Sequence, residues 1–180
     1  ACERERIALG FATARVLDRN DRYTETLGVL RAIHAHARKL QPWDAAAFVR
    51  GLDAVMMAFA AAPAAVAELG RGAIFIVGLP RSGSTLTEQI LAAHAEVEGT
   101  QELAEVQRYV QELQGRNADP DRPRYPGILA EMDAADFAAL GRRYLAETRI
   151  YRSDRPRFID KMPNNFRHIG LIHLMLPNAV

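Results

Sequence analysis

Cysteine is almost missing from this chain. Cys2 is the single one in 180 residues, so no internal disulfide and no cysteine-built metal centre is available, a composition that fits a reducing compartment. An excess of charge of one sign is missing as well. With 23 Lys and Arg against 22 Asp and Glu the formal net charge is +1, which argues against a nucleic-acid binder held by a broad basic face but leaves room for a basic pocket around a small anion. Long apolar runs are also lacking. The longest, 54–67, is alanine-rich, interrupted by Pro63 and bounded by Asp53 and Glu68, too short and too weak to span a bilayer. The opening ACERER is too charged for a secretory leader, so a soluble, cytoplasmic protein without a membrane partner is the expectation. Ala1 is not an initiator methionine, so upstream sequence is expected too. A hydrophobic share of 49% with 25% charged residues suits one globular domain plus an appendage.

One further absence carries the most information. The stretch IFIVGLPRSGSTL, 74–86, reads as a buried strand running through a glycine turn into a helix, and Gly78 and Gly83 have the spacing of a phosphate loop. The lysine such a loop normally carries is replaced by Ser84, and Arg81 stands inside the loop instead. Backbone N–H groups around Ser82, Gly83, Ser84 and Thr85 would face an anion that the helix dipole favours. Arg81 adds a permanently charged planar fork, and the three hydroxyls add donors. Without the lysine a metal-bound triphosphate is a poor match. The bland alternative is a tight strand-to-helix turn with a capping serine.

Along the chain, residues 3–38 show two helical patterns around a polar turn at 18–22. Ile7, Phe11, Ala14 and Leu17 mark one face; Leu27, Leu30, Ile33 and Ala37 mark the other. The order FATARVLDRNDRYTETL weakly resembles a tetratricopeptide unit, although Ala14 and Thr26 replace the small residues expected at the close contact. Asp44 caps a third helix carrying Phe48, Leu52, Val55 and Phe59 and ending near Pro63. The joint 68–72 separates this helical segment, 1–70, from an α/β segment, 71–180. Beyond the loop the patterns predict a helix over 84–94, an extended piece near Val97 and a helix over 102–113. A proline-rich loop GRNADPDRPRYPG, a helix over 134–147, a strand over 157–160, a helix over 164–175 and the start of a strand at 178–180 follow. Alternation of this kind predicts an α/β fold with a mainly parallel sheet. A sheet with so few strands is incomplete, which predicts a domain continuing past Val180.

IFIVGLPRSGSTLTEQILAAH, then VEGTQELAEV, and later FIDKMPNNFRHIGLIHLMLPNAV closely resemble the sulfotransferase superfamily, in particular the bacterial group joining tetratricopeptide repeats to a sulfotransferase domain. The resemblance covers about 74–105 and 158–180, and none of it covers 113–151. It implies a P-loop-like three-layer sandwich, a donor, 3′-phosphoadenosine 5′-phosphosulfate (PAPS), and no metal. It implies that Pro80, Arg81, Ser82, Gly83, Ser84 and Thr85 bind the 5′-phosphosulfate, with Arg81 as the catalytic cation, as in tyrosylprotein sulfotransferases. By the same alignment Glu102 stands where those enzymes hold their catalytic glutamate, although a carboxylate at a helix start equally suits the helix dipole. Lys161, at the end of a short apolar strand, is implied to contact the transferring sulfonate or the acceptor, with a solvated strand-end lysine as the plain alternative. The 3′-phosphate site of the family would lie after Val180.

Two other readings compete. A kinase or NTPase with a variant loop would use Asp160 for Mg²⁺ but lacks the loop lysine. A non-catalytic helical-repeat protein would bind partners through the first segment. Acceptor pockets are built from variable loops, so the acceptor is open between a small molecule and a peptide, the hairpin hinting at the latter. His34, His36, His94, His168 and His173 show no metal-ligand spacing and read as structural.

Overall fold

A computed structural model describes residues 3–61, 68–115 and 123–180. Contacts divide the chain into two compact units, 1–48 and 49–180. In the first unit, α1 (Glu3–Arg19) and α2 (Tyr23–Leu40) form the expected hairpin. Its turn closes through the Arg22 N–H, which donates to the Leu17 carbonyl at 3.0 Å, with Asp21 at φ 59°. The close helix contact is at Gly10, where a Cβ would stand 2.3 Å from the Ile33 side chain. Ala14 and Thr26 are buried at the same seam. Phe11 and Leu27, expected to face inward, remain 39% and 54% exposed, because two helices offer too little surface to cover both apolar stripes. His34 meets the Phe11 ring edge-on and His36 pairs with Glu3.

Helix α3 (Ala45–Ala61) starts where Asp44 predicts it, with the Ala47 N–H donating to Asp44 Oδ1 at 2.9 Å. Its expected end near Pro63 lies outside the described residues, as does most of the proline-rich loop. The two units divide inside α3, between Phe48 and Val49, whereas the composition changes near residue 70. The reason is packing: Val55 joins the core of the second unit, and the Phe59 ring closes on Gly170, where a Cβ would stand only 2.5 Å away.

The second unit is mixed α/β. Strands β1 (Ala73–Phe75), β2 (Val97–Gly99) and β3 (Arg157–Asp160) form a parallel sheet in the order β1-β3-β2, with Ala73 opposite Phe158 and Val97 opposite Arg157. Val180 pairs with the other edge of β1: its N–H donates to Ala73 O at 3.1 Å, and the Phe75 N–H donates to Val180 O at 2.7 Å. Successive strand residues point to opposite faces. Ala73, Phe75 and Phe158 therefore join the large cluster built with Tyr109, Phe137, Tyr144, Leu171 and Met175, while Ile74, Ile76 and Ile159 pack with Val97 and Ala92. The large cluster draws on α5 (Glu105–Gln114), α6 (Ala134–Glu147) and α7 (Ile169–Met175); the small one leans on α4 (Ser84–Ala92).

Helix α6 begins where its sequence pattern predicts because Asp133 and Asp136 form a reciprocal cap: Asp133 Oδ1 accepts from the N–H groups of 135 and 136, and Asp136 Oδ2 accepts from the Asp133 N–H. Two other helices differ from expectation. The helix expected from residue 102 starts at Glu105, and the one expected over 164–175 is a tight 3₁₀ segment (Pro163–His168) followed by α7. Pro163 supplies no N–H, and its carbonyl accepts from the Gly78 N–H at 3.1 Å, so this tight turn is tied to the loop after β1.

Beneath the sheet end, Asp160 is fully buried and accepts a hydrogen bond from the Tyr144 hydroxyl at 2.7 Å. Burial pushes its carboxyl up to about 7, against the hydrogen bonds from Tyr144 and the Leu103 N–H, with the nearby Glu105 carboxylate adding to the rise. A raised carboxyl favours the fold while protonated. Between pH 4 and 7 the unfolded chain releases this proton and the folded chain keeps it, so stability falls over that window and is level above it. The gap is worth on the order of 4 kcal/mol. Asp160→Asn is therefore expected to gain on the wild type by a few kcal/mol between pH 4 and pH 8 in urea unfolding; parallel stability curves would contradict the assignment.

Candidate active site

All three strands run the same way, so their carboxyl ends meet at one edge, the place where open parallel sheets hold ligands. Backbone bonds tie these ends together. The Ile76 N–H donates to Asp160 O at 2.9 Å, the Lys161 N–H to Gln101 O at 3.3 Å, and the Thr100 hydroxyl to Ile159 O at 2.5 Å. The loop 76–83 is thereby fixed against the turns that follow β2 and β3.

The loop turns on two glycines in positive-φ conformations. Gly78 lies at φ 154°, and a Cβ there would meet the Ser82 hydroxyl at 3.2 Å; Gly83, at φ 93°, is the residue from which α4 starts. Gly83 gives α4 no side-chain cap, so the N–H groups of its first turn are left for another acceptor. Arg81 adopts φ 67°, a left-handed conformation that costs a non-glycine residue about 1–2 kcal/mol. It is exposed.

A cleft of about 510 Å³ opens over this loop, lined by Pro80, Arg81, Gly83, Ser84, Thr85 and Leu86 on one side and by Glu102, Met162, Pro163 and Asn164 on the other. Of the residues singled out in the sequence, Ser82 does not line the cleft, since its hydroxyl is folded toward Gly78. Lys161 stands just behind it. Its ammonium donates to Glu102 Oε1 at 2.8 Å, and its side chain is 12% exposed, so the solvated strand-end reading does not hold. Glu102 lies in the loop between β2 and α5, not on the helix, so the dipole alternative is removed as well. Asp160 turns away from the cleft to Tyr144.

Several features escaped the sequence reading. Met162, Pro163 and Asn164 line the cleft, although only their neighbour Lys161 was singled out. Glu88, on α4, brings its Oε2 to 4.0 Å from the Lys161 ammonium. Glu105, Asp160 and Asn165 keep buried polar atoms with no partner among the described residues. No histidine lines the cleft among the described residues, and three of them make structural contacts within the second unit. The Tyr125 hydroxyl and His168 Nδ1 lie 3.0 Å apart, and burial pushes His168 down to about 4, so it is neutral. His94 Nδ1 accepts from the Glu96 N–H at 3.2 Å, and His173 meets the Phe59 ring. Among the described residues no group of three His, Cys, Asp or Glu side chains is arranged to hold a metal ion. Nor is any helix among them long and apolar enough to cross a membrane.

A parallel sheet with an arginine-bearing glycine loop at its carboxyl edge, and Glu102 bonded to Lys161 on the other side of the cleft, defines an α/β protein with a cleft at the carboxyl edge of its sheet. The chain belongs to the sulfotransferase family, whose family model matches residues 73–180. It is also 33% identical over 184 residues to an uncharacterized protein of Aquifex aeolicus (strain VF5), an alignment that takes in 97% of this chain. The chain spans about a quarter of that relative's length, 24%.

Proposed function

We propose that the chain carries the donor loop and the proton-handling pair of a PAPS-dependent sulfotransferase acting on a hydroxyl or amine. The observation that supports this most is the facing of Arg81 and the uncapped start of α4 across one cleft from Glu102, itself bonded to Lys161. PAPS supplies a sulfonate on a good leaving group. The residues present fit it: a 5′-phosphosulfate would be held by backbone N–H groups at 83–85, the hydroxyls of Ser84 and Thr85, and the Arg81 guanidinium, all of which line the cleft.

In transfer, the bond between sulfur and the bridging phosphate oxygen breaks and a new bond forms from sulfur to the acceptor oxygen or nitrogen. Glu102 takes the acceptor proton. Arg81 and Lys161 offset the charge left on the bridging oxygen, and the cleft walls hold the groups in line. The acceptor, a small molecule or a peptide, enters from the open side beside Glu102; the helical hairpin offers a further protein contact.

Calorimetric titration of the full-length protein in EDTA with 3′-phosphoadenosine 5′-phosphate (PAP) and with ADP tests this reading. Tighter binding of PAP is expected, whereas equal affinity, or binding that requires Mg²⁺, would favour a kinase-like nucleotide site. Glu102→Gln is expected to lower turnover by about 10²-fold or more, the usual weight of a general base, while PAP affinity stays within about twofold. Normal turnover in that variant would end the base assignment.

A further inference from the structure

Lys161 has two carboxylates facing it, and they are not equivalent. Glu102, in the loop after β2, has a side chain 56% exposed, so it is free to swing toward the cleft. Glu88 comes from α4, its side chain is 14% exposed, and it packs against the end of β2, where a Cβ on Gly99 would meet Glu88 Oε1 at 3.6 Å and Cγ at 3.8 Å. Of the other charges at this edge, Arg81 lines the cleft on the loop side and Asp160 turns into the core to Tyr144. We propose that Glu88 is the positioning residue for Lys161, the fixed anion that aims its ammonium at the leaving group while Glu102 is occupied with the acceptor's proton. This rests on the reading of the cleft as a sulfonate-transfer site.

The need arises from the proposed chemistry itself. At rest the Lys161 ammonium is paired with Glu102 at 2.8 Å. When Glu102 accepts a proton it becomes neutral, and Lys161 loses that partner at the moment charge builds on the bridging oxygen. A second carboxylate on a helix, 4.0 Å away, takes no part in that proton transfer and keeps the side chain from turning aside. At that distance it is close enough to attract the ammonium without a direct hydrogen bond, so the donors of the ammonium remain available. A Cβ at Gly99 would make ordinary contact with the Glu88 side chain, so Glu88 lies against the end of β2, which ties the arrangement to the sheet.

The test is a double-mutant cycle on the full-length protein, with water as acceptor. The sulfur–oxygen bond of PAPS is broken, a water oxygen joins the sulfur, its proton passes to Glu102 and then to solvent, and sulfate and PAP are released. Sulfate release is measured for the wild type, Glu88→Gln, Lys161→Met and the double variant, with PAP affinity followed by calorimetry. Glu88→Gln is expected to lower turnover about tenfold with PAP affinity within about twofold, and to cost nothing further in the Lys161→Met background. Glu88→Asp, which keeps the charge on a shorter arm, is expected to recover part of the loss. If Glu88→Gln does not fold, Glu88→Asp alone and combined with Lys161→Met gives the same comparison. Wild-type turnover in Glu88→Gln, or losses that multiply in the double variant, overturns the positioning role and leaves the sulfotransferase reading intact. A wild type that binds PAP no better than ADP and releases no sulfate overturns both.

Discussion

Arg81→Ala is expected to lower sulfonate transfer by about 10²–10³-fold, the usual loss when one preorganised donor to developing charge is removed. The effect is large because, among the described residues, Arg81 is the one guanidinium lining the cleft and because the backbone holds it there in a left-handed conformation. That conformation also separates function from stability. Arg81→Gly removes the same guanidinium but relieves the left-handed strain, offset in part by the freedom glycine has in the unfolded chain. The glycine variant should therefore unfold about 1 kcal/mol later than the alanine variant while being equally inactive. Arg81→Lys keeps a charge without the planar fork and should fall between. Equal transfer rates in the wild type and Arg81→Ala, with sulfate release from PAPS as the assay, would remove Arg81 from the chemistry.

The phosphate loop, the three short strands and α6 were legible because their signals are local. Glycine spacing after an apolar run, a helical pattern over 134–147 and a short apolar run at 157–160 each act over a few residues. What escaped depends on residues distant in sequence. That Glu102 sits outside α5 follows from its loop being bonded along β3, where the Lys161 N–H donates to Gln101 O and the Thr100 hydroxyl to Ile159 O. The 3₁₀ turn at 163–168 preserves a helical period over FRHIGLIHLML, and nothing in that period reveals that Pro163 must reach Gly78. Glu88 reads as an ordinary polar helix position, since only the fold brings α4 against the end of β2 and so beside Lys161. The exposed stripes on α1 and α2 are the converse case, a correct helical period whose apolar face finds little to cover it within the hairpin.

The same distinction predicts the most damaging small substitution in the second unit. Gly141, buried in α6, faces the last carbonyl of α7: an added Cβ would stand 2.1 Å from Met175 O and 3.0 Å from its carbonyl carbon, with Leu69 Cδ1 at 3.2 Å. A side chain can rotate away from such a clash but a backbone carbonyl cannot, so α6 and α7 must separate. In an open helix position alanine gains about 1 kcal/mol over glycine. Here that gain is outweighed by overpacking, which costs roughly 1–3 kcal/mol and more where the backbone must move. Gly141→Ala is thus expected to lower stability by about 2 kcal/mol or more, a fall of at least roughly 4–8 °C in Tm for a chain of this size. Gly28→Ala, in α2 with nothing within 4 Å of the added carbon, should instead raise it. The displacement should also reach the site, because α7 continues directly from the turn whose Pro163 carbonyl holds the Gly78 N–H. Weaker PAP binding in Gly141→Ala, measured well below its Tm, would show that helix packing and the donor loop are coupled. A stability loss with unchanged PAP affinity would mean that the 3₁₀ turn absorbs the shift before it reaches the loop.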